Sequence, residues 1–125
     1  MAEENSRFKI LIADDEDALR LLAHETLESE PADILEATDG EEALEMARRE
    51  HPNLILLDVA MPGLTGFEVC QKLKADPATS DIIIVMLTAH GQGKDREHAE
   101  RSGADHFMTK PFSPLQLLRL VAQIL

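Results

Sequence analysis

Short apolar runs alternate along the chain with segments whose apolar positions recur at helical spacing. The runs are residues 8–13, 32–37, 54–57, 82–87 and 104–108, each of strand length. Residues 54–57 are apolar throughout, as a strand covered on both faces must be. Residues 82–87 are rich in β-branched side chains, and residues 32–37 give the weakest of the five patterns. Between the runs, Ala18, Leu19, Leu22 and Leu27 form the predicted face of a first helix, closed by Glu30-Pro31. Ala43, Leu44 and Ala47 mark a narrow stripe over 41–50, and a third helix over 67–74 stops at Asp76-Pro77. A fourth, over 94–102, is so polar that the pattern predicts a loosely held surface element, with Gly103 as its C-cap. Leu117, Leu118, Val121 and Ile124 define a last helix over 114–125.

Strand and helix in strict alternation predict an α/β fold: a doubly wound, five-stranded parallel sheet with helices on both faces. The expected strand order is the flavodoxin-like 2-1-3-4-5, in which ligands bind beyond the carboxyl ends of strands one and three. No linker, repeat or low-complexity stretch divides the chain, so 1–125 reads as one domain with a flexible stretch at 1–6. The chain stops within an apolar helical pattern, an ending expected of either a stand-alone or an excised domain.

Each of three runs breaks off at charge. The first ends in Asp14-Asp15, the third in Asp58, and the fifth in Thr109-Lys110-Pro111, while Thr88 closes the fourth. In the expected order these residues converge at one sheet edge. Clustered carboxylates resist ionising together, and a hard divalent cation with open positions, Mg²⁺ above all, relieves that repulsion. The simpler reading makes Asp14 and Asp15 a helix cap and first-turn acid, worth about 1 kcal/mol. That reading explains one acid and not the pair. A carboxylate directly after four apolar residues is costly unless something pairs with it, and Lys110 is the expected partner of Asp58.

Composition narrows the chemistry. Lys plus Arg number 12 against 24 Asp plus Glu, a net charge of −12, which argues against direct nucleic-acid binding, since that needs basic patches. Thirteen acids lie between Asp14 and Glu45, opposed only by Arg20, and read first as a solvated face. Cys70 is the sole cysteine, so no internal disulfide forms and a core role is expected. The acidic, polar start is no signal peptide, and no apolar run could span a membrane, so a cytoplasmic protein is expected. His24, His51, His90, His98 and His106 show no metal-ligand spacing, although His90, two residues past Thr88, is expected to border the site.

Asp14-Asp15-Glu16, Asp58-Val59-Ala60-Met61-Pro62 with Gly66, Thr88-Ala89 and Lys110-Pro111-Phe112 stand at four strand ends in order. Across nearly its whole length the chain resembles a receiver domain of a two-component response regulator, of the CheY-like type. The resemblance implies that Asp58 accepts a phosphoryl group from a sensor histidine kinase or phosphotransfer protein. It implies Mg²⁺ (or Mn²⁺) held by Asp14, Asp15, Asp58 and the backbone carbonyl of Ala60. Lys110 and Thr88 would then contact phosphoryl oxygens, and Thr88 with Phe107 would form the switch. The Lys110–Pro111 bond matches a position where the family has a cis peptide. Ala60 and His90 match positions that the family varies. The resemblance further implies a changed surface around helix four, strand five and helix five, compatible with a homodimer through that face, and an output domain or downstream protein as partner. A turnover enzyme is not expected. A small Mg²⁺-dependent aspartyl phosphohydrolase is the alternative, yet Ala60 stands where such enzymes place a second acid. A phosphorylation-independent interaction module is the third reading, and the intact quartet argues against it.

Overall fold

The computed structural model describes residues 8–89 and 94–124, so His90 and the stretch 1–6 lie outside the described residues. Ten elements follow in strict alternation: β1 Phe8–Ala13, α1 Asp17–Leu27, β2 Ala32–Ala37, α2 Gly40–Glu50, β3 Leu54–Asp58, α3 Gly66–Ala75, β4 Ile83–Thr88, α4 Lys94–Ser102, β5 His106–Thr109 and α5 Pro114–Ile124. All strand pairs are parallel and the order is β2-β1-β3-β4-β5. The expected doubly wound fold is the observed one.

Two cores explain the uninterrupted apolar strands. Ile10, Ile12, Leu54, Leu56, Val85 and Leu87 pack with Ala23 and Leu27 of α1 and Leu117 and Val121 of α5. The alternate residues Leu11, Ala13, Ile55, Leu57, Ile84 and Met86 pack with α2, α3 and α4. The strands β1, β3 and β4 therefore bury odd and even positions on opposite faces, and burial of each Leu or Ile stabilises the fold by roughly 1.5–3 kcal/mol. No described helix is long and apolar enough to cross a membrane.

Capping chemistry fixes where the helices start. Asp39 accepts the N–H of Glu42 at 2.8 Å to open α2, and Thr65 with Glu68 forms a reciprocal capping box on α3. Glu16, the N-cap of α1, makes no such side-chain bond. Gly103, at φ 96°, ends α4 in the left-handed region that glycine enters without strain.

Two expectations need correction. On α1, Ala23 and Leu27 are buried and Leu19 is half-buried, whereas Ala18 is exposed and Leu22 is 37% exposed. The stripe facing the sheet is thus rotated from the predicted one. Helix α4 is also better anchored than its polarity suggests. Ala99 and Ser102 are buried, the His98 ring stacks on Phe67 at 3.7 Å, and Cys70 Sγ donates to the Ser102 carbonyl at 3.4 Å. Burial raises the Cys70 thiol pKa, which leaves that side chain protonated and inert.

Candidate functional site at the carboxyl edge of the sheet

Register brings the polar strand ends together. Ala13 pairs with Leu57, so Asp14 and Asp58 stand one step on, side by side at the ends of β1 and β3. Thr88 pairs with Thr109 at the ends of β4 and β5, and Lys110 follows directly, its peptide bond to Pro111 cis. Behind Asp58 the chain doubles back, with Gly66 N–H donating to the Val59 carbonyl at 2.9 Å. A Cβ on Gly66 would run into the Asp58 carbonyl, so only glycine allows this return.

Carboxylate oxygens of Asp14, Asp15 and Asp58 lie within 4.8 Å of one another. Lys110 Nζ sits 2.9 Å from Asp14 Oδ2 and 3.1 Å from both Asp58 Oδ1 and Glu16 Oε1. A cleft of about 410 Å³ opens over this group, lined by Asp15, Asp58, Ala60, Thr88 and Lys110 among others. Asp14 is fully buried, Asp58 and Thr88 are nearly so, and Asp15 is exposed at the rim.

The electrostatics follow from that burial. Loss of solvent, and then the charge on Asp14, push the Asp58 carboxyl up to about 6, although Lys110 and the Ala60 backbone N–H oppose them. Burial pulls the other way on Lys110, but its bonds to Asp14, Glu16 and Asp58 outweigh it, and the net direction is upward. The ammonium therefore stays charged throughout the physiological range. One ammonium does not neutralise three nearby carboxylates.

The donors fit a hard cation. Asp14 Oδ1 accepts the Glu16 N–H at 2.9 Å. Its buried Oδ2 faces the Lys110 ammonium at 2.9 Å, off the axis of a well-aligned hydrogen bond. The three aspartates outnumber the one ammonium among them, and an oxygen-only set with open positions is what Mg²⁺ takes.

Of the residues expected here, Asp14, Asp15, Asp58, Ala60, Thr88 and Lys110 share one site. Phe107 lies farther off. It is half-buried against the α2–α3–α4 core, with Arg96 Cζ 6.0 Å from its ring centroid. Phe107 pairs with Met86, two residues before Thr88, so strand alternation puts it on the face Thr88 shares. Two residues were not foreseen. Glu16 is the third partner of Lys110, a role that its place in the Asp14-Asp15-Glu16 motif did not reveal. Arg20 donates to the Asp14 carbonyl at 2.8 Å, and its being the lone cation among thirteen acids was the available signal.

A family model described as "Response regulator receiver domain" matches residues 10–122. The chain is 44% identical over 117 residues to a "Probable transcriptional regulator ycf27" of Porphyridium aerugineum, covering 94% of this chain and 48% of that protein. It is 43% identical over 116 residues to "Response regulator PleD" of Caulobacter vibrioides, covering 93% of this chain and 26% of that one. The chain spans about half, or less, of the length of these curated relatives. Among solved structures, chemotaxis response regulator CheY4 of Vibrio cholerae superposes with a TM-score of 0.89 at 30% identity, covering 96% of this chain and all of the other.

Proposed function

The chain belongs to the response regulator receiver domain family, and from that premise we propose that it is a phosphoacceptor switch with Asp58 as the acceptor. The observation that carries the reading is Lys110 Nζ lying 2.9 Å from Asp14 and 3.1 Å from Asp58, with the oxygens of three aspartates within 4.8 Å. A carboxylate so held can be aligned on an incoming phosphorus while the ammonium faces the oxygens that gain charge.

In the proposed step an Asp58 carboxylate oxygen forms a bond to the phosphorus of a phosphohistidine. The phosphorus–nitrogen bond breaks, its electron pair stays on the imidazole, and that ring takes up a proton from solvent. The product is an aspartyl phosphate. Asp14, Asp15, Asp58 and the Ala60 carbonyl would hold Mg²⁺, which when bound supplies positive charge against phosphoryl oxygens. Lys110 supplies the protein's own cation at the same place. Its bonds to Glu16 and Asp14 hold the ammonium in position before the donor arrives.

Phosphorylation replaces one carboxylate charge with about −1.5 to −2. Thr88 would hydrogen-bond a phosphoryl oxygen, and Phe107 on the same face would repack, altering the α4–β5–α5 surface. A cleft of about 450 Å³ lined by Arg96, Ala99 and Phe107 supports room for that ring to move. The donor partner would be a sensor histidine kinase or phosphotransfer protein. In a protein of its relatives' length, the controlled output would lie in the remaining half.

Incubation with acetyl phosphate and Mg²⁺, read by intact mass, tests the proposal. One phosphoryl group should add to the wild type, and none without Mg²⁺ or in Asp58→Asn. An unmodified wild type, or undiminished modification of the variant, would defeat it.

A further inference from the structure

Helix α1 begins without the side-chain cap that normally fixes a helix entry, since Glu16 makes no capping bond. The turn before it carries Asp14 and Asp15, whose placement a cation site depends on. Within that turn Asp14 Oδ1 accepts the Glu16 N–H at 2.9 Å, and the Asp14 N–H donates to the Ala37 carbonyl at 3.1 Å. Arg20, one turn into α1, spans the same segment: one terminal nitrogen donates to the Asp14 carbonyl at 2.8 Å, the other pairs with Asp17, and Nε meets Glu36 Oε1 at 3.1 Å. Its side chain is 13% exposed. His24 Nδ1 sits 2.7 Å from the second oxygen of Glu36, which fixes that carboxylate on β2 in turn. A guanidinium is a planar fork, so three partners in different directions define its place and, through it, theirs.

We infer that Arg20 is a positioning residue for the metal-binding turn, setting the Asp14 backbone and through it the direction of the Asp14 and Asp15 carboxylates. It touches no reacting atom. Its action runs through one carbonyl, as residues behind metal ligands act elsewhere. The inference rests on the proposed Mg²⁺ site.

A second role competes with this one, and the two predict opposite signs. Arg20 is the only cation among the thirteen acids between Asp14 and Glu45. If it acted through charge alone, removing it would make the site more negative and Mg²⁺ would bind more tightly. If it positions the turn, removing it weakens Mg²⁺ binding despite the lost positive charge. Lysine in its place keeps the charge and loses the fork.

The test is Mg²⁺ titration of the full chain without phosphoryl donor, followed by NMR, in wild type, Arg20→Gln and Arg20→Lys. Thermal unfolding without Mg²⁺ checks that each variant folds. Positioning predicts about tenfold weaker binding in Arg20→Gln and clear weakening in Arg20→Lys. Unchanged or tighter binding in folded Arg20→Lys overturns the inference, as does tighter binding in Arg20→Gln. A wild type that does not bind Mg²⁺ removes the underlying site and the inference with it. Should Arg20→Gln fail to fold, Arg20→Lys alone decides.

Discussion

Replacing Asp58 with asparagine should make the protein more stable, and the gain should depend on pH. Asp58 is 4% exposed, and burial together with the Asp14 charge raises its carboxyl from the ordinary 3.8 to about 6. A difference of that size corresponds to about 3 kcal/mol between the two protonation states. Between those two values the folded chain keeps a proton on Asp58 that the unfolded chain has released. Stability from this group therefore falls as pH rises through that window, and the full cost persists above it. Asparagine carries no charge to bury. In EDTA at pH 8, Asp58→Asn should exceed wild type by up to about 3 kcal/mol, and near pH 3.5 the two should converge. Titrating groups remote from Asp58 are common to both chains and cancel in the difference. The chain has no Trp or Tyr, so urea unfolding is best followed by far-UV circular dichroism. Saturating Mg²⁺ should then narrow the gap by stabilising wild type alone, by about 2.7 kcal/mol at a hundred times its Kd. A variant equal to or weaker than wild type at pH 8 in EDTA would refute the reasoning.

Lys110→Ala leaves buried Asp14 and Asp58 facing each other without their ammonium. It should cost about 3–5 kcal/mol in urea melts at pH 7 and slow phosphoryl uptake from acetyl phosphate. Gly66→Ala sets a methyl group against the Asp58 carbonyl. The expected loss is about 1–3 kcal/mol, accompanied by NMR shift changes at Asp58–Ala60 that a remote surface substitution would not produce.

The sheet was legible because both its faces are covered. Residues 54–57 have no polar side to mislead the reading, and even the weak pattern at 32–37 corresponds to β2. The site was legible for the same reason, since an acid or ammonium beside a buried strand demands a partner. Boundaries were harder where a polar residue bonds to backbone. The fifth run begins at Ala104, yet β5 starts at His106, because the Asp105 carboxylate accepts the Ile84 N–H and the Lys74 ammonium, both at 2.8 Å. Helix α1 misled because Leu19, Leu21, Leu22 and Ala23 fall together in sequence. Which of them turn inward is set by where α5 packs and not by hydropathy. Helix α4 looked unanchored because its anchors are an alanine, a serine and a histidine ring, all of small hydrophobic weight. The role of Glu16 stayed hidden because its partner Lys110 lies 94 residues away in the chain.

The most direct measurement locates the phosphoryl group. Protein treated with acetyl phosphate and Mg²⁺ is reduced with borohydride, which converts an aspartyl phosphate to homoserine, and is then mapped by peptide mass spectrometry. The account predicts homoserine at position 58 alone, and none when EDTA replaces Mg²⁺. Homoserine at position 14 or 15, or at no position, would contradict it.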